Sequence, residues 1–296
     1  MSTVSLVGLG DNVVDRYAGR GLMYPGGNAV NVAVHARRSG AVTAYVGVLG
    51  SDDAGDLVEF SLRAEGVWLE RMRRAEGENA FATVYTDETG NRSFGLCKKG
   101  VSLFLPDADD LDYLSGFDLV HLCETIRMEA ALPDIAARAA VSYDFSDRDN
   151  SYAAQLLPHI AVATFSRPDS DTTSVEDQIA WAHERGARIV IVTRGARGAV
   201  ISDGARIHSQ EAAPAQVVDT LGAGDAFIAR LVVRLWEGVD LPAAASLAAL
   251  YSAEVCSLPG GFGYGRALPL PATIHTAAPT KSLNVDTDKA APSVDG

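Results

Sequence analysis

The sequence predicts an α/β protein organised around a mostly parallel sheet. Short apolar runs alternate with segments of helical period along most of the chain. The 296 residues are 47% apolar, enough to bury a sizeable core. Residues 4–9 read as the first strand, 28–39 as a helix entered through a glycine pair, and 42–48 as the next strand. Runs at 119–122, 140–145, 161–165 and 188–193 continue the series, with helical segments around 51–65, 128–139 and 175–186. Residues 80–96 break this rhythm. They alternate and carry the turn signal Asp87-Glu-Thr-Gly-Asn91, so they read as a β-hairpin, either an edge extension or a lid. Residues 16–24 are a candidate further lid strand. From 273 to 296 the chain is rich in Ala, Thr, Ser, Pro and Asp without apolar periodicity. That stretch is expected to be a disordered tail, leaving one domain over 1–272.

The formal net charge of −13 disfavours nucleic-acid or anionic-membrane partners, which need a basic surface. It does not disfavour a phosphate ligand, because backbone N–H groups can hold one. Cys97, Cys123 and Cys256 are scattered and form neither zinc spacing nor a redox pair. With no signal-like start and no apolar run of membrane-spanning length, a reduced cytoplasmic location is expected. The six histidines show no clustering and are read as surface or core.

Several site types are absent. There is no Gly-x-x-x-x-Gly-Lys-Ser/Thr loop, no Gly-x-Ser-x-Gly elbow and no zinc-spaced histidine pair. Gly8-Leu-Gly10 follows a strand, but Val13 stands where a dinucleotide turn needs its third glycine.

Three segments remain. Asp219-Thr-Leu-Gly-Ala-Gly-Asp225 opens a helical run with Phe227, Leu231 and Leu235 on one side. Gly222 and Gly224 allow close backbone approach, and the first N–H groups of a helix attract an anion. Asp225 at the helix start should stay ionised, as a proton acceptor must. A plain helix cap with a tight turn would use the same residues, and the segment alone leaves both readings open. Pro25-Gly-Gly-Asn-Ala-Val-Asn31 is the second segment; Asn28 and Asn31 can donate to and accept from hydroxyls, although Asn28 alone could be an N-cap. Asp11 and Asp15 follow the first strand, where an open parallel sheet presents its ligand crevice. Thr193-Arg-Gly-Ala-Arg-Gly198, after another strand, has two glycines that could shape a nucleotide turn.

Together these segments resemble the PfkB (ribokinase-like) carbohydrate kinase family up to about residue 270. Gly26-Gly-Asn-Ala-Val-Asn31 with Val46-Gly-Val-Leu-Gly-Ser-Asp-Asp-Ala-Gly55 resembles the N-terminal signature, and residues 219–227 the C-terminal one. The resemblance implies a three-layer αβα sandwich with a mostly parallel central sheet and a small β lid, from residues 16–24 and 80–97. It implies ATP with Mg2+ as donor system and a sugar-type hydroxyl as acceptor. By position, Asp225 would be the base and Gly222, Ala223 and Gly224 the anion hole. Asp15, Gly26, Gly27, Asn28 and Asn31 would bind the sugar, and Thr193, Gly195 and Gly198 the nucleotide. Asp219 would help to hold a monovalent cation such as K+. The family's Asn-x-x-Glu element is replaced by Ser166-Arg-Pro-Asp169, which leaves Asp169 as the magnesium-side carboxylate. Family members often pair through their lids, so a homodimer is a further expectation, and a monomer is the alternative.

Within the family, the short first lid segment, Gly10-Asp-Asn-Val-Val-Asp-Arg-Tyr17 and Tyr143-Asp-Phe-Ser-Asp147 are most similar to the fructoselysine kinase branch. Such an acceptor carries a cationic secondary amine, for which Asp11 and Asp147 are the candidate partners. Kinases of fructose, ribose or a nucleoside, and a non-catalytic sensor, are the alternatives.

Overall fold

The computed structural model describes residues 3–86 and 92–269; the expected hairpin turn at 87–91 and the tail at 273–296 lie outside them. The chain opens with β1 (Ser5–Leu9), the hairpin β2 (Val13–Tyr17) and β3 (Leu22–Gly26), then α1 (Asn28–Arg38). Next come β4 (Val42–Val46), β5 (Val48–Leu49), α2 (Asp53–Ala64), β6 (Arg73–Arg74), β7 (Phe81–Thr86) and β8 (Arg92–Lys98). The middle of the chain holds α3 (Ala108–Leu114), β9 (Leu119–Cys123), α4 (Leu132–Ala136), β10 (Ala140–Asp144), α5 (Asn150–Ala154), β11 (Val162–Ser166), α6 (Thr172–Glu184) and β12 (Ile189–Thr193). It closes with β13 (Ala199–Ser202), β14 (Ile207–Gln210), α7 (Ala223–Trp236), α8 (Leu241–Val255) and β15 (Arg266–Ala267).

The central sheet runs β14-β13-β12-β11-β10-β9-β1-β4, and its six strands from β12 to β4 are parallel. Their continuous apolar runs are what a sheet covered on both faces requires. One face is packed by α3 to α6 through Leu114, Ile135, Ala153 and Ile179. The other is packed by α1, α7 and α8 through Val32, Phe227, Leu231 and Ala245. The three-layer αβα expectation holds. A second sheet, β15-β3-β2-β7-β8, forms the lid.

Several elements differ from the sequence reading. Residues 16–24 give two lid strands with a short 3-10 turn between them, not one strand. The helix expected over 128–139 shrinks to a 3-10 turn at Glu129–Ala131 and a short α4, because Pro133 belongs in a first helical turn. The run 42–48 breaks at Gly47, after which Val48 and Leu49 leave the central sheet to pair with β6. The antiparallel edge β13–β14 and the alanine-rich α8 had no legible pattern: the strands are four residues long and α8 lacks a polar stripe.

Helix α1 crosses β1 so closely that a Cβ on Gly8 would run into the carbonyl of Ala29 and come within 3.1 Å of the Ala33 Cβ. Gly8→Ala should therefore lower stability by about 2 kcal/mol. A urea midpoint unchanged from wild type would show that α1 does not sit as described.

Candidate functional site

The carboxyl ends of the parallel strands converge beside β1, where the strand order reverses direction, the place where open α/β sheets bind ligands. Two helix N-termini meet there. Helix α7 starts after Gly222, whose φ of 72° is the left-handed conformation glycine adopts without strain. A Cβ there would also stand 2.8 Å from the Cα of Gly261. Ala223 N–H turns back to the Thr220 carbonyl at 3.3 Å. The N–H groups of Gly224 and Asp225 have no backbone partner among the described residues, and the space beside the Gly224 Cα is open. The open N–H groups lie one residue further on than the Gly222–Gly224 stretch expected from the sequence, and first-turn N–H groups of this kind are suited to an anion.

Helix α1 supplies the partners of Asp225. Asn28 Nδ2 donates to Asp225 Oδ1 at 2.9 Å, and Asn31 Nδ2 donates to Oδ2 at 2.6 Å. Among the described residues the hydrogen bonds of the Asp225 carboxylate go to α1 and not to its own helix end, which is not how a cap is placed. The N-cap of α1 is Gly27, so Asn28 is not the cap either. The carboxylate of Asp11 serves that end instead, accepting Asn28 N–H at 3.1 Å and Ala29 N–H at 2.9 Å. Asn31 Oδ1 is buried with no hydrogen-bond partner among the described residues.

Asp144, at the end of β10, went unnoticed as a site residue, although it lies within the segment that carried the family resemblance. Its Oδ2 accepts the second N–H of Asn28 at 3.0 Å, and its Oδ1 accepts Ser146 N–H at 2.8 Å. The Asn28 amide thus bridges two carboxylates. Burial pushes Asp225 up to about 6; Asn31 and Asn28 oppose the shift and the charge of Asp11 adds to it. Burial raises Asp144 to about 7, against the Ser146 N–H and with the charges of Asp225 and Glu124. Asp225 is therefore closer to its titration point than a helix start alone implied. No lysine or arginine hydrogen-bonds either group among the described residues.

Asp15 is buried in β2, its carboxylate against the Cα of Gly26 at the end of β3. Asp219 is buried: Oδ2 accepts Tyr17 O–H and Gly260 N–H, and Oδ1 accepts Leu221 N–H. These contacts tie lid strand β2 to the loop that launches α7. His35, buried on α1, bonds the Gly261 carbonyl through Nε2 at 3.1 Å and the Tyr251 hydroxyl through Nδ1 at 3.0 Å. It holds the Gly260–Gly261 loop against Gly222 and Asn31.

The remaining candidates lie on the neighbouring strand ends. Asp147 and Asp169 line an exposed cleft with Asp149, Ser166, Arg167 and Gln178. Asp147 is thus grouped with Asp169 and not with Asp225. Thr193 ends β12, and Gly195 and Gly198 bound the turn after it, with φ of 58° and 79°. Arg197 from that turn bonds the Pro168 carbonyl, joining the turn to the cleft. Among the described residues there is no group of three His, Cys, Asp or Glu that could hold a metal.

A buried carboxylate beside open helix N–H donors is an arrangement suited to transferring a charged group to a hydroxyl. Residues 4–262 match the pfkB family carbohydrate kinases, and the chain belongs to that family. It is a phosphotransferase with a sugar-type acceptor. The chain is 38% identical to the fructosamine kinase FrlD of Bacillus subtilis (strain 168) over 268 residues, covering 88% of this chain and 94% of that one. Against the fructoselysine 6-kinase of Escherichia coli (strain K12) the identity is 35% over 243 residues, covering 81% and 92%. In fold it is similar to Arabidopsis thaliana ribokinase complexed with ribose and ATP, with a TM-score of 0.76, 21% identity, and 89% and 96% of the two chains covered. The described residues contain no helix long and apolar enough to cross a membrane.

The bridged carboxylates should titrate as a pair, with apparent values near 6 and 7, in carboxyl 13C spectra of the free protein. Two ordinary titrations near pH 4 would contradict the arrangement.

Proposed function

We propose that this protein is an ATP-dependent fructosamine kinase that phosphorylates the primary 6-hydroxyl of fructoselysine or a close Amadori product. The observation that carries the kinase chemistry is Asp225, held by Asn28 and Asn31 beside the open N–H groups of α7. In the proposed step the acceptor hydroxyl gives its proton to Asp225 as its oxygen forms a bond to the γ-phosphorus. The bond from that phosphorus to the bridging oxygen breaks, and ADP leaves. The N–H groups of Gly224 and Asp225 face the charge carried by the transferring group. Bound magnesium would screen the phosphates, with Asp169 and Ser166 as the residues that would hold it. Thr193, Gly195 and Gly198 would shape the nucleotide turn.

The acceptor assignment rests on the two fructosamine-type relatives and on the charge around the base. Asp11 and Asp144 place negative charge beside Asp225, and no lysine or arginine hydrogen-bonds Asp144 or Asp225 among the described residues. A cationic amine brought by the acceptor would draw Asp144 and Asp225 back towards their ionised forms. Asp11 would act through its charge, since its oxygens already accept two backbone N–H groups. The unmatched Asn31 Oδ1 suits a donor hydroxyl of the sugar, with Asp15, Gly26 and Gly27 closing that side.

Asp225→Asn should cut turnover by a factor on the order of 10³ while ATP affinity stays near wild type, measured by steady-state kinetics and calorimetry. Near-wild-type turnover would defeat the assignment of the base. In ATP-coupled assays, fructoselysine should give a far higher kcat/KM than fructose, ribose or adenosine. A clear preference for a plain sugar or nucleoside would sink the fructosamine reading, and no turnover at all would favour a sensor.

A further inference from the structure

Behind Asn28 lies a residue that the phosphoryl transfer does not itself use. His121 sits in the middle of β9, fully buried in the central sheet. Its Nε2 is 2.8 Å from Asn28 Oδ1, and its Nδ1 is 2.9 Å from the Ser142 hydroxyl on β10. The hydrogens of this chain can be assigned by elimination. Once ionised, both carboxylates facing Asn28 can only accept, so the amide nitrogen must point to Asp144 and Asp225, and the amide oxygen must face His121. Nε2 therefore carries a proton. Burial lowers His121 to about 3, so the ring is neutral, Nδ1 is bare, and Ser142 donates to it.

We propose that His121 is a positioning residue for phosphoryl transfer: with Ser142 it forms a buried relay that fixes the orientation of the Asn28 amide and so presents its two N–H bonds to Asp144 and Asp225. Asn28 is the only member of this relay that reaches Asp225. A flipped amide would set its oxygen against two carboxylates and its N–H groups against the Nε2–H of His121. The relay forbids that state without contributing charge of its own. The titratable groups facing Asn28 and Asp225 are Asp144 from β10 and Asp11 from the loop after β1; Glu124 and Cys123, at the end of β9, lie beside Asp144.

The inference rests on Asp225 being the base, and the test separates the two. In the wild-type protein at pH 8, where both carboxylates are ionised, long-range 1H–15N spectra of the imidazoles should show His121 as the neutral Nε2–H tautomer. This readout needs no activity, and an Nδ1–H tautomer or an imidazolium overturns the relay whatever the enzyme phosphorylates. Kinetics are then measured with ATP and fructoselysine, or with fructose if the wild type prefers it. His121→Leu should lower kcat by about 10-fold to 100-fold with little change in acceptor KM. It should also move the acid limb of kcat/KM to higher pH by about one unit, because Asp225 loses a donor that favours its ionised form. His121→Gln, whose amide N–H can stand in for Nε2–H, should restore most of the rate and the wild-type limb. A wild-type rate and limb in His121→Leu overturns the proposal. So does a folded His121→Gln as impaired as His121→Leu, and if the leucine variant does not fold, the glutamine variant decides alone.

Discussion

Two carboxylates that share a partly buried space repel, and a donor common to both eases that repulsion. Here that donor is one side-chain amide, Asn28, placed at the first turn of α1. Its two N–H bonds reach Asp144 from the central sheet and Asp225 from α7, and Asn31 one turn on adds a further donor to Asp225. Much of the architecture serves that junction. The close crossing of α1 over β1 at Gly8 sets the height of Asn28 above the strand ends, and Asp11 anchors the same helix end through two backbone N–H groups. The left-handed turn at Gly222 aims α7 at the same point.

On the proposed mechanism, the junction would let Asp225 work as a base at neutral pH beside so much like charge. Burial and neighbouring carboxylates push Asp225 up to about 6, and the two asparagine donors limit that rise. At pH 7 it is still mostly ionised, yet basic enough to take a proton in a transition state. The same negative surroundings favour an acceptor with a positive charge. Tyr17 and Asp219 connect this chemistry to the lid, since the hydroxyl of one and the carboxylate of the other join β2 to the loop leading into α7.

The layered fold was legible because six parallel strands buried on both faces leave continuous apolar runs between helical segments. Asp225, Asn28 and Asn31, which the structure brings together, were singled out because glycines mark where backbone can approach closely. The short edge strands β13 and β14 and the alanine-rich α8 were not, because four residues or a stripe-free helix leave no period to read. Asp144 and His121 were hidden for a different reason. Each sits alone in a strand that otherwise reads as core, and only the pairing of β9 with β10 and the arrival of α1 reveal their partners. Asp11 and Asp147, offered by the family resemblance as partners of a cationic amine, lie apart: Asp11 accepts two N–H groups at the start of α1, and Asp147 lines the cleft beside Asp169.

The central claim is that Asp225, held by Asn28 and Asn31, receives the proton of the acceptor hydroxyl. Its most direct test is a crystal structure of the complex with fructoselysine and a non-hydrolysable ATP analogue. The 6-hydroxyl should lie about 3 Å from an Asp225 oxygen, with the terminal phosphate at the N–H groups of Gly224 and Asp225. An acceptor whose hydroxyls all lie beyond about 5 Å from Asp225, or whose nearest carboxylate is Asp147 or Asp169, would contradict it.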